Sequence, residues 1–249
     1  MARNYFNDFI EKCIVHNQYV GLGNPNSKIL LVGKEAGIPI GIESYHGSGS
    51  SWKENNYSIR FPAESKLRNF NHTWQKYQKL YELILNRLTI KETVEKLDKY
   101  EITFVENVFT TELSNLHAPN TKDAKSQADF SSELIKRKEQ FWKDSFIDNF
   151  PIVIIFGTDN KYIETYPGEV CELFDVEFSE MITISKSEKI WVHYSKDISA
   201  RVHPRLVIHT RHVTYGASSE LFERIAEIVA TFANRNSINI ISREFSNSY

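Results

Sequence analysis

Three short apolar runs that do not alternate constrain this chain most: Ile29–Val32, Ile152–Phe156 and Leu206–Ile208. A strand with one wet face alternates apolar and polar residues, so a run without a polar position has both faces covered. Such strands belong to parallel sheets layered between helices. Helical periodicity fills the intervals. Phe6, Phe9, Ile10, Cys13 and Ile14 predict a helix near residues 5–17, and Trp74, Tyr77, Leu80, Tyr81, Ile84, Leu85 and Leu88 another over 71–88. Leu134 to Phe150 reads as a third helix. The clearest runs from Ala217 to Arg235, with Leu221, Phe222, Ile225, Ile228, Val229 and Phe232 on one face. The expected fold is α/β: a three-layer α/β/α sandwich with a mostly parallel central sheet, forming one domain over residues 1–249.

Other segments are read more coarsely. Ile102 to Asn107 is expected as a second strand, and 181–194 as a β-ribbon. Residues 38–70 form a long loop carrying Trp52, Tyr57 and Phe61, and loops of that length are often functional. Residues 91–99 read as a short charged helix or turn, 111–130 as loop and 159–174 as partly helical.

The formal net charge of −2 gives no global basic field that would draw the chain to nucleic acid. A local basic rim around one cleft remains compatible with it. The two cysteines, Cys13 and Cys171, are too few for a four-thiolate metal or iron–sulfur site and form no CxxC pair. Arg3, Asp8, Glu11 and Lys12 interrupt any signal-peptide core, and no apolar run approaches the roughly 20 residues of a membrane span. These features predict a cytoplasmic protein with no membrane partner.

Ligands in open α/β sheets bind at the carboxyl ends of the strands. Three strand ends carry polar residues there: Glu35, Asn107 and His209. A carboxylate can polarise water or stabilise a cation, an amide can read the edge of a base, and an imidazole can stabilise negative charge on a leaving group. Gly33 and Gly37 flank Lys34 and Glu35 and allow the backbone to turn closely about a ligand. Each polar residue also has a plain reading, as a helix cap, a turn residue or a hydrogen-bonded core histidine.

The order of these segments resembles the uracil-DNA glycosylase superfamily over roughly residues 20–235. Gly23-Asn24-Pro25 leading to Gly33-Lys34-Glu35-Ala36-Gly37 is similar to the family's first motif, GQDPY in one branch and GEAPG in the iron–sulfur branch. In the first register Glu35 takes the place of the water-activating Asp; in the second the acid's place falls on Lys34. The first is favoured. Phe104 to Thr110 looks like the segment whose Asn reads the uracil edge, which would be Asn107. His209-Thr210-Arg211-His212-Val213 sits where the family has HPSPL. The resemblance therefore implies that His209 contacts the pyrimidine carbonyl, Arg211 and His212 grip phosphate, and Val213 wedges into the base stack. Ala36 and Thr210 replace the prolines of the two motifs, and the four cluster cysteines are absent.

The resemblance implies hydrolysis of the N-glycosidic bond of uracil or a related damaged base in single- or double-stranded DNA. Glu35 and His209 would be catalytic, and Asn107, Gly33, Lys34, Gly37, Arg211, His212 and Val213 would bind substrate. No metal and no cofactor are expected. The alternative is a catalytically weak protein of the same fold that binds nucleic acid or a nucleobase. A hydrolase of another kind is weakened by the lack of a GxxxxGK[ST] loop and of a GxSxG elbow.

Overall fold

The computed structural model describes residues 2–41, 47–56, 72–88, 102–196, 203–213 and 216–241. The strands are β1 (Leu22–Gly23), β2 (Ile29–Gly33), β3 (Val108–Glu112), β4 (Ile152–Phe156), β5 (Val176–Ser185), β6 (Glu188–Ser195) and β7 (Leu206–Thr210). They form one sheet in the order β1-β3-β2-β4-β7-β6-β5. The central strands β3, β2, β4 and β7 are parallel, whereas β1, β6 and β5 pair antiparallel at the flanks.

Both faces of the central strands are covered, which explains the unbroken apolar runs. Ile29, Leu31, Ile152, Ile154, Phe156, Leu206 and Ile208 pack on one side, with residues of α3 (His72–Arg87) and α8 (Ser219–Arg235). Leu30, Val32, Val153, Ile155 and Val207 point the other way. There they meet α1 (Ala2–Val15), α2 (Gly49–Glu54), α5 (Phe130–Gln140), α6 (Ser145–Asp148) and α7 (Glu169–Phe174). Burying each such side chain contributes about 1.5–3 kcal/mol. The three-layer α/β/α architecture expected from the runs is therefore present.

Two expectations are corrected. The segment Ile102–Asn107 is not a strand: Phe104–Glu106 form a 3-10 turn, and the strand begins at Val108. The cause is Gln78, a fully buried residue of α3. Its Oε1 accepts from the amides of Thr103 (2.9 Å) and Phe104 (2.8 Å), so these groups never enter a ladder. Ile102, Phe104 and Val105 still serve the core, from the turn. The helix expected over 134–150 is two helices, because Asp144 caps α6 by accepting from the Phe146 amide at 2.9 Å. The ribbon is present and longer than expected, pairing β5 with β6.

The long loop also holds a helix. Trp52 of α2 is buried, and its Nε1 donates to the Gly21 carbonyl at 2.9 Å, so it is a core anchor without a free face for a base. Tyr57 and Phe61 lie outside the described residues.

Gly21 is the most constrained glycine. Its φ is +122°, and an added Cβ would lie 2.0 Å from the Thr110 carbonyl oxygen. Gly21→Ala is therefore expected to cost roughly 2–4 kcal/mol through backbone strain and displacement of β3. Urea denaturation checks this; an unchanged midpoint would contradict the close approach.

Candidate active site at the carboxyl edge

The chain leaves β2 towards β3 on one side and continues from β4 towards β7 on the other. The crevice between the carboxyl ends of β2 and β4 is thus the switch point of the sheet, where such folds bind ligands. Lys34 and Glu35 leave β2 into it, and Gly157 leaves β4. A Cβ on Gly157 would lie 3.1 Å from Lys34 Cγ, so the glycine leaves room for the lysine stem.

The segment after β2 is held firmly against the segment after β3. The carbonyls of Gly33, Lys34 and Ala36 accept from the amides of Leu113 (2.9 Å), Ser114 (2.8 Å) and Ala118 (3.1 Å). Glu35 Oε1 accepts from Thr121 Oγ1 at 2.8 Å, and that hydroxyl accepts from Lys34 Nζ at 2.5 Å. Thr121 opens α4 (Thr121–Ser126), whose first amides are capped by Asn120. Lys34 and Glu35 therefore share one partner, Thr121.

Glu35 Oε2 is buried. The fully buried Tyr162 faces it, its hydroxyl set against the Glu35 carboxyl group. Burial, and then Glu35 itself, push the phenol well above its ordinary pKa. Lys34 and Lys125 lie over the Tyr162 ring, 5.8 and 5.7 Å from its centre. Lys125 also pairs with Asp159; although burial opposes it, that contact holds the Asp159 carboxyl below its usual value.

Glu112 ends β3 directly across from Gly33. Burial and the neighbouring Glu35 raise its pKa to about 8, with Arg137 and Lys34 opposing the rise. Glu112, Thr121 and Tyr162 had no place in the sequence reading. A strand starting at Val108 instead of Ile102 would have brought Glu112 to the carboxyl edge on paper.

The remaining expected residues divide. Gly33 is buried beneath Glu112, and Gly37 is exposed at the rim. Arg211 and His212 follow β7 and are partly buried. Burial, with Lys34 and Arg211 nearby, pushes the His212 imidazole down to about 4. His209 is at the edge but committed: its Nε2 lies 2.5 Å from the Gly157 carbonyl, to which it donates, tying β7 to β4. Its ring tilts against Trp191 at 5.3 Å, and burial lowers its pKa.

Asn107 is at the opposite edge of the sheet. Val108 pairs with Ile29, so Asn107 lies level with the start of β2. Five strand steps of about 3.3 Å separate it from the level of Glu112. Its place in the site is corrected accordingly. Val213 is fully buried in the core beside α8, with no free side chain to insert between bases, and the wedge role is corrected likewise.

His212 also couples the site to stability. Folded, it stays neutral down to about 4; unfolded, it protonates near 6.5. Its contribution is thus present above 6.5 and lost as pH falls towards 4. His212→Gln is expected to lose less stability than the wild type between pH 7 and pH 5 in urea melts. Equal losses would refute the burial argument.

Among the described residues no group of three or more His, Cys, Asp or Glu side chains is placed to hold a metal ion. No described helix is long and apolar enough to cross a membrane. The chain matches no protein-family model, no curated protein and no solved structure.

Proposed function

We propose that this chain hydrolyses the N-glycosidic bond of a base in DNA, uracil or a damaged relative, with Glu35 as the catalytic carboxylate. The observation that carries this reading is Glu35 itself. It stands at the switch point of the sheet with one oxygen held by the Lys34–Thr121 chain and the other buried against the Tyr162 hydroxyl. A carboxylate held in this way is suited to orient water and to stabilise the positive charge that develops on the sugar. Lys34 and Arg211 both lie near His212 at this edge of the sheet and offer positive charge to a phosphate. A base in a duplex must first leave the stack to reach such a crevice.

A second reading has its own support. His209 is occupied by Gly157, and Asn107 and Val213 lie elsewhere. A protein of this fold that binds nucleic acid without cutting it would tolerate those placements. A nicking assay separates the two. Oligonucleotides carrying uracil, hypoxanthine or xanthine are incubated with the protein and treated with alkali to cut abasic sites. Cleavage by wild type that vanishes in Glu35→Gln supports the glycosylase. Binding without cleavage on every substrate supports the binder.

A further inference from the structure

We propose that Glu112 is the proton donor of this crevice, the partner of Glu35, and that it protonates the departing base. The inference rests on the glycosidic reading above and adds a residue to it. Its basis is the way the ends of β2 and β3 fit together. Glu112 pairs with Gly33 in register, and a Cβ at Gly33 would lie 2.1 Å from Glu112 Oε2 and 2.9 Å from its Cδ. The carboxyl group thus lies over the end of β2, in a space that only glycine leaves open. Glu35 follows two residues later on the same segment.

A buried phenol attends each carboxyl group, and the Tyr77 hydroxyl has no hydrogen-bond partner. Tyr162 faces Glu35, and Tyr77 of α3 has Glu112 as its strongest charged neighbour. Tyr162 is fully buried and Tyr77 is 3% exposed. Unpartnered buried polar groups are costly and cluster where a ligand or water completes them. The charged groups facing Glu112 are Glu35 and Lys34 from the end of β2 and Arg137 from α5. Arg137 spends its Nε on the Glu112 main-chain carbonyl, 2.9 Å away.

Two carboxyl groups this close do not both ionise readily. Lys34 donates to Thr121, so the Thr121 hydroxyl donates onward to Glu35 Oε1, and a donor chain anchored on a cation ends at that oxygen. Glu112 has the surroundings of an acid. Neighbouring groups whose environments separate their affinities divide into acid and base.

The step balances within the pair. The bond between the sugar C1′ and the base nitrogen breaks, and its electrons leave with the base. The Glu112 proton passes to the base. A water oxygen bonds to C1′, and one water proton passes to Glu35. Return of that proton from Glu35 to Glu112 restores the site.

Two measurements test this. The first compares wild type and Glu112→Gln on oligonucleotides carrying uracil or 5-nitrouracil, the latter a base that leaves readily as an anion. Loss of the acid is expected to slow uracil release by roughly 10²–10⁴-fold and 5-nitrouracil release by less than about tenfold. Equal loss on both, or none on either, overturns the donor role. The second follows glutamate carboxyl carbons by NMR against pH in the substrate-free protein. A carboxyl titrating near 8 is expected, absent in Glu112→Gln and moved down in Glu35→Gln. A Glu112 signal in the ordinary range near 4.3 overturns the inference even if cleavage occurs. A signal near 8 with no cleavage by wild type removes the glycosidic reading, and the donor role with it, while the coupled pair stands.

Discussion

Glu35→Gln should reduce turnover by at least roughly 10²–10⁴-fold without unfolding the protein. The substitution keeps the side chain's shape and its bond from Thr121 but removes the charge that would orient water and face the sugar cation. Stability should hold or rise slightly, because a partly buried charge beside Glu112 is removed. Single-turnover cleavage and a thermal melt on the same sample give both quantities. A wild-type rate in the variant would remove Glu35 from the mechanism. A slow variant that also melts early would show only that the loop had collapsed.

Arg137 should have the largest effect on stability. It is fully buried, and its guanidinium serves four acceptors. Nε donates to the Glu112 carbonyl at 2.9 Å, Nη1 to Gln18 Oε1 at 3.1 Å and the Tyr19 carbonyl at 2.9 Å, and Nη2 to Thr111 Oγ1 at 3.0 Å. Its flat face lies 3.7 Å over Phe141. The residue therefore joins α5, β3 and the turn after α1. Arg137→Met leaves those acceptors buried and unpaired, a loss of about 3–5 kcal/mol. Arg137→Lys should recover little, since an ammonium cannot reproduce the planar fork. A loss below about 1 kcal/mol in urea melts would show that water replaces the guanidinium freely.

The sheet was legible where burial alone decides structure. Ile29–Val32, Ile152–Phe156 and Leu206–Ile208 announce covered strands because no polar residue interrupts them, and each lies where expected. Ile102–Val105 is also largely apolar, with Thr103 inside it, but becomes a turn, because a glutamine from a distant helix takes two of its amides. No local pattern contains that partner. The error then propagated to the site: with the strand misplaced, Asn107 appeared at the carboxyl edge and Glu112 did not.

Glu35 and Lys34 were legible because a glycine-flanked polar pair after a covered strand has few other places to go. The state of His209 was not. Its type and position suit a donor, yet the neighbouring Gly157 carbonyl claims its Nε2. Thr121 and Tyr162 lie far along the chain from Glu35, and their convergence depends on how α4 and the segment after β4 fold over the edge.

The sheet order also has a consequence for synthesis. The central strand β2 is completed by residue 33, but its neighbours begin only at residues 108 and 152. A nascent chain emerging from the ribosome carries this apolar segment with both edges bare until β3 is made, and with one edge bare until β4 follows at residue 152. Bare apolar strands seek other chains. Premature termination before β7 would therefore yield a sticky polypeptide and not a smaller working fold, and the burden falls on whatever shields the chain while the last strand is made.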